Sequence, residues 1–377
     1  MHDPVAAGAA LIERCHEQLV APLLPAGQAV WDVHAHLGED ADGSQLDAAD
    51  LLADAEAHGV KRTFVFPFRQ EGMDAYRERN DALLAEAAAS DGRLIAFCRV
   101  EPGDGDIAEL ERALDAGAGG IKLHPLSGRF EVGHPLVEAA VALAERRSVP
   151  LLLHAGRGIG PFAADLDRML QRHPGAQVIL AHAGIGDHEA ALAVAERRPN
   201  VCFDVAVWNL LDIRALLARV APEQIVYGTD APYYGHACSQ AKLLLALRAA
   251  GGAGAAAMLW DNAERIAAGR APASRSAAAG PRRASFGYAQ LRAHEYLLAS
   301  APMVWTRQPD LLGALRLARH ALAVLDGVDI DAAREMIDLA AVCWAHELQS
   351  GSRREILSLS WTTFRLIEFA DALVFCR

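Results

Sequence analysis

The sequence predicts an α/β chain, a (β/α)8 TIM barrel followed by a small all-α helical bundle. Three observations carry that expectation. Between residues 30 and 269, short β-branched or apolar runs alternate with longer Ala/Leu/Glu/Arg stretches of helical period, the mark of repeated βα units. Eight such runs fit the size of a single parallel barrel. Beyond residue 285, apolar residues recur at three and four throughout, the period of helices alone.

The elements follow in order. Residues 1–29 form a helical lead-in, since Leu11, Cys15 and Leu19 lie four apart with Glu13, Arg14 and Glu17 between them. Glu13 and His16 read as its solvated face. Strands are expected at 30–36, 61–67, 93–100, 119–124, 150–154, 177–182, 200–205 and 224–230. Helices are expected near 47–58, 76–90, 106–117, 134–147, 163–172, 187–197 and 212–220, with 239–249 and 256–268 after the last strand. Pro150 opens the fifth strand, and Pro67, Pro102, Pro125 and Pro232 follow strand ends, where the chain must leave the sheet. A doubly wound open sheet is the alternative, but no GxGxxG follows the first strand.

Residues 270–284 are rich in Ala, Pro, Gly, Ser and Arg without apolar period, and read as a flexible linker. Residues 285–377 read as a four-helix bundle of unknown role. Its stripes run through Leu311, Leu315, Ala318, Leu322 and Leu325, then Ala333, Met336, Ala340 and Cys343, then Ile356, Leu359, Leu366, Ala370 and Leu373. Trp361, Phe364 and Phe369 fall off the last stripe, so they are expected to pack against the barrel or a second copy of the chain.

Composition narrows the function. The chain has 377 residues, 52% of them hydrophobic, enough for one large core and a smaller unit. A net charge of −12 excludes a general nucleic-acid surface and points to a small-molecule substrate. No run approaches a membrane span, and the N-terminus lacks the basic and apolar regions of a secretory signal, so a cytoplasmic address is expected. Six cysteines without a CxxC pair read as reduced core thiols. Association into a homo-oligomer would run through the bundle.

The chemistry sits at strand ends. In Val30 to Gly38, His34 and His36 are separated by one residue, so an alternating strand points both imidazoles the same way. Lys122 and His124, His154, His182 and Asp230 stand at or just past the carboxyl ends of four later runs. In a parallel barrel those ends converge on one face. Histidines 58, 134, 173, 188 and 236 fall in helices or loops and read as solvated.

DVHAHLG at 32–38, GIKLHP at 120–125, LLLHAG at 151–156, ILAHAG at 179–184, YGTDAP at 227–232 and the closing DNAERIAAG at 261–269 resemble the amidohydrolase superfamily. The nearest branch is its amidohydrolase-related group of metal-dependent barrel hydrolases and decarboxylases. The resemblance implies that His34, His36 and Asp230 hold one divalent metal with His154 as a further ligand. It makes His182 either a ligand of a second ion or a catalytic histidine facing the substrate. Lys122 matches the position that some members carboxylate to bridge two metals; the other reading is a salt bridge in the barrel mouth. One ion is expected rather than two. Imidazole with carboxylate suits Zn²⁺, with Mn²⁺ or Fe²⁺ where oxygen donors are more numerous. Asp230 would act with His182 as the catalytic pair.

Arg69 after the second strand, Arg99 near the end of the third and Arg157 just after His154 fall on the substrate face, where guanidinium forks match a carboxylate; each could instead pair with a loop acid. His124 shares the parity of Lys122 and faces the same cavity. The expected activity is metal-dependent hydrolysis of an amide, lactone or related carboxyl-derived bond. The alternatives are a decarboxylase on the same barrel and a binding protein acting through the bundle.

Overall fold

The computed structural model describes residues 3–40, 43–103, 105–206, 209–278, 280 and 286–375. Nine strands form one sheet: β1 (Val30–Glu39), β2 (Gln45–Leu46), β3 (Val60–Pro67), β4 (Leu94–Arg99), β5 (Gly120–Leu123), β6 (Leu151–Leu153), β7 (Val178–Leu180), β8 (Val201–Asp204) and β9 (Ile225–Val226). Their order is β2-β1-β3-β4-β5-β6-β7-β8-β9, parallel throughout except for β2, a short antiparallel addition to Gly38 and Glu39 that the sequence pattern did not predict.

The sheet closes, which rules out the open alternative. Val33 donates to the Tyr227 carbonyl at 2.9 Å, Asp230 to that of His34 at 2.7 Å and His36 to that of Ala231 at 2.8 Å. The eighth expected strand is regular only over Ile225–Val226, shorter than 224–230, because Asp230 turns the chain at φ +57°. Parallel strands covered on both faces must be apolar on both, and β1 is buried for its first eight residues. Trp31, Val33, Phe64, Phe66, Phe97, Leu152, Ile179, Cys202 and Val226 fill the barrel interior. Packing therefore ends near the carboxyl ends of the strands, where the polar groups begin.

Among the described residues four α-helices follow the barrel: Tyr288–Trp305, Ala314–Ala321, Val328–Glu347 and Arg353–Phe375. The first expected stripe is corrected at its start. The helix stops at Trp305, and Leu311 lies in a non-helical segment with 83% of its surface exposed. The Arg353–Phe375 helix packs on the Pro4–Cys15 helix, closely enough that a Cβ on Gly8 would lie 2.3 Å from Thr362 Cγ2. Trp361 meets Tyr233 with ring centres 5.1 Å apart, and Phe364 meets Tyr234 at 5.8 Å. The apolar surplus of this helix is thus covered within the chain.

The linker is tied to the barrel along its first part. Arg275 donates to the carbonyls of Ala195 and Glu196, and Ser276 to Glu223. Residues 279 and 281–284 lie outside the described residues, as does Cys376; the other five cysteines are buried free thiols.

His16, His58 and His236 are buried rather than solvated, because three segments meet there. His58 lies between Asp54 Oδ1 at 3.0 Å and Glu13 Oε2 at 3.0 Å, linking the N-terminal helix to the barrel, with the His16 and His236 rings packed beside it. Burial disfavours the imidazolium, but the bonds to Asp54 and Glu13 outweigh it and raise the pKa to about 10. A histidine whose folded pKa exceeds its unfolded value contributes stability that is complete below about 6.5 and lost as pH rises through about 10. The urea midpoint should therefore fall between pH 7 and 10, and His58→Gln should flatten that slope. An unchanged slope in the variant would assign the effect to another group.

Candidate metal centre

The period of β1 brings His34 and His36 to one side, and a register shift between Asp32 and Ala35 sits at this point. Asp230, held in a left-handed conformation uncommon for a side chain, carries its carboxylate to both rings. Its Oδ1 lies 3.1 Å from His34 Nε2 and 3.3 Å from His36 Nε2. Burial alone would raise the Asp230 carboxyl; the adjoining His34 imidazole and the bond from His36 outweigh it and draw the pKa to about 2.

His182 is also left-handed, at φ +56°. Its backbone N–H donates to Asp204 Oδ1 at 2.8 Å, and its Nδ1 lies 2.6 Å from the Ala206 carbonyl. A carbonyl only accepts, so Nδ1 carries a proton. The His182 Nε2 lies 3.1 Å from His154 Nδ1. Ligand atoms of His34, His182 and Asp230 all fall within 4.8 Å of one another.

His154 Nε2 is buried and has no hydrogen-bond partner among the described residues, as is true of His36 Nδ1. His124 stacks on His154 with ring centres 3.8 Å apart and planes 11° apart, and its Nδ1 accepts from Ser127 N–H at 3.2 Å. Burial holds His34, His124 and His154 well below the ordinary imidazole range, so all three are neutral donors of electron pairs. Lys122 is fully buried, its Nζ 3.1 Å from His34 Nε2, and burial lowers its pKa to about 7. Among the described residues no carboxylate lies within ion-pair distance of it, so the salt-bridge reading of Lys122 is not met.

Two carboxylates at this site were missed by the sequence reading. Asp204, at the end of β8, accepts from His34 Nδ1 at 2.7 Å and from the backbone N–H groups of His182 and Ala206. This is the arrangement that fixes a metal-binding imidazole in orientation and tautomer. Its signal was present: an acid ending the seventh predicted strand. Asp32 accepts from His34 N–H, Thr229 N–H and Thr229 Oγ1, pinning β1 to the segment that carries Asp230.

The donor set fits a divalent cation. Ligands bound at about 2.0–2.2 Å stand roughly 3 Å apart, which is the spacing of Asp230 Oδ1 from the two Nε2 atoms, and His182 joins His34 and Asp230 in the group whose ligand atoms converge.

Above the donors lies a cavity of about 430 Å³ that all three predicted arginines line, together with His124. Arg99 is 2% exposed and fixed by bonds to the Pro67 carbonyl at 3.1 Å and Ser127 Oγ at 2.5 Å. Arg69 and Arg99 both lie within ion-pair distance of Glu101, at 3.3 and 3.9 Å, which is the loop-acid alternative for those two residues. Arg157 lies on the loop after β6.

A model of the amidohydrolase family matches residues 31–266. The chain belongs to the amidohydrolase family. This family of metal-dependent enzymes accounts for the histidine and aspartate cluster at the barrel mouth. No curated protein matches the amidohydrolase chain. Among solved structures it is similar to 2,6-dihydroxybenzoate decarboxylase from Rhizobium, with 16% identity over 64% of this chain and 98% of that one and a TM-score of 0.50. A Pseudomonas putida protein provisionally named 2-pyrone-4,6-dicarboxylic acid hydrolase gives 19%, 64%, 98% and 0.50 for the same measures. At these identities the likeness is one of fold. None of the described helices is long and apolar enough to cross a membrane.

Proposed function

We propose that this amidohydrolase is a metal-dependent hydrolase that opens an amide, lactone or related carboxyl-derived bond in a small polar substrate bearing a carboxylate. The observation that carries the reading is Asp230 Oδ1 lying 3.1 and 3.3 Å from the Nε2 atoms of His34 and His36, beneath a cavity lined by three arginines. A single ion, zinc in the first instance, held by His34, His36, Asp230 and His154 would supply hydroxide near neutral pH and polarise the scissile carbonyl.

The chain's own groups do the rest. Asp230, ionised at neutral pH, accepts a proton from the attacking water at its carboxylate and returns it to the leaving group. His182 lines the cavity with its Nδ1 committed to the Ala206 carbonyl, which leaves Nε2 as the atom through which it would pass a proton. Arg99, already fixed by Pro67 and Ser127, is preorganised for a substrate carboxylate, and Arg157 offers a second fork. The preference for one ion rests on GIKLHP with LLLHAG, which resemble the branch in which one ion suffices.

The test is metal analysis followed by product analysis on panels of lactones, amides and aromatic carboxylic acids. One equivalent of zinc and acid release from a lactone or amide, lost on chelation, is the expected result. Carbon dioxide release without acid release would replace hydrolysis by decarboxylation. Two equivalents, with Lys122 carboxylated, would overturn the single ion and make His182 a ligand.

A further inference from the structure

The cavity is not built by the barrel alone. The family match ends at residue 266, yet Ala301, Pro302, Trp305, Thr306 and Phe364 line the same space as His34 and Asp230. Trp305 ends its helix with 59% of its surface exposed, an indole left open beside a polar site. It stacks on Phe364 at 5.7 Å with planes 30° apart and stands edge-on to Trp361 at 5.6 Å.

Those rings are held against the catalytic loop. Trp361 contacts Tyr233, whose hydroxyl donates to Asp40 at 3.0 Å, and the Arg365 guanidinium donates to the carbonyls of Pro232 and Tyr233. The bundle is thus joined to the residues directly after Asp230. The barrel supplies the cavity's arginines, while the bundle adds apolar carbon.

We propose that the C-terminal bundle forms a wall of the reaction pocket and that Trp305 and Phe364 set its specificity, selecting carboxylates with an extended apolar face over compact ones. This rests on reading the cavity as the reaction site. An indole laid against such a face excludes water from both, whereas a compact carboxylate reaches the arginines without touching it.

The experiment uses the full-length zinc-loaded protein, with benzoate and acetate as probes in titration calorimetry. Benzoate is expected to bind more tightly than acetate. Trp305→Ala should weaken benzoate on the order of tenfold while leaving acetate and bound zinc unchanged, and Trp305→Phe should restore most of the loss. Phe364→Leu should narrow the same preference. Equal benzoate affinity in the wild type and Trp305→Ala overturns the proposal, and so does failure of benzoate to bind the wild type. Failure of this wall is separable from failure of the hydrolase reading. Metal-dependent hydrolysis with unaltered probe binding in Trp305→Ala sinks only the wall. Trp305-dependent binding without hydrolysis of any amide or lactone sinks only the reaction.

Discussion

Replacing His34 by alanine is expected to remove the bound ion and to lower turnover by on the order of a thousandfold or more. This one ring faces Asp204 through Nδ1 and faces Asp230 and Lys122 through Nε2, so its loss takes away a ligand and uncouples the carboxylate that would accept the proton from water. His34 is fully buried, so the variant also leaves a cavity. Asp204→Asn separates the two effects. It keeps the volume and the ring but removes the charge that orients Nδ1, and metal affinity should fall about 10–100-fold with the fold intact. Metal content by mass spectrometry, turnover and a thermal melt on both variants check this. A His34→Ala protein that keeps its metal at full occupancy would place the ion elsewhere.

What could be read in the sequence follows from the physics of parallel barrels. A period of two fixes which strand residues share a side, and the carboxyl ends of the strands converge, so His34, His36, Lys122, His154, His182 and Asp230 stand out as one group in the sequence. Asp204 obeys the same rule yet was passed over, because a carboxylate that holds a ligand looks in sequence like any acid ending a strand. His16, His58 and His236 were assigned to solvent, since each lies on a different helical segment and only packing brings them together. The bundle's place in the pocket was equally hidden. Helical period shows that Trp361 and Phe364 leave the apolar stripe, but the partners they meet, Tyr233 and Tyr234, lie in a loop far away in the chain. Leu311 fits the period of the Ala314–Ala321 stripe because periodicity alone does not mark that the helix starts after Gly313.

The largest stability effect is expected at the contact between the His236–Ala250 helix and the bundle. Lys242 Nζ lies 2.8 Å from Glu368 Oε2 and 3.9 Å from the centre of the Tyr234 ring, with both charged side chains almost wholly buried. Burial pushes the Glu368 carboxyl up to about 7, even though Lys242 favours its ionised form. Lys242→Met strands that carboxylate in an apolar interface and should cost about 3–5 kcal/mol in urea unfolding at pH 8.5. The double variant Lys242→Met with Glu368→Leu removes the charge along with its partner and should recover the loss, ending near the wild type or up to about 4 kcal/mol above it. The pH dependence follows from the sign of the shift. A carboxyl whose folded pKa is raised binds more protons folded than unfolded, so the single variant should be less penalised at pH 6 than at pH 8.5, while the double variant should show no such difference. A single variant that unfolds at the wild-type midpoint at both pH values would mean that water reaches Glu368 and that the pair contributes nothing to docking the bundle.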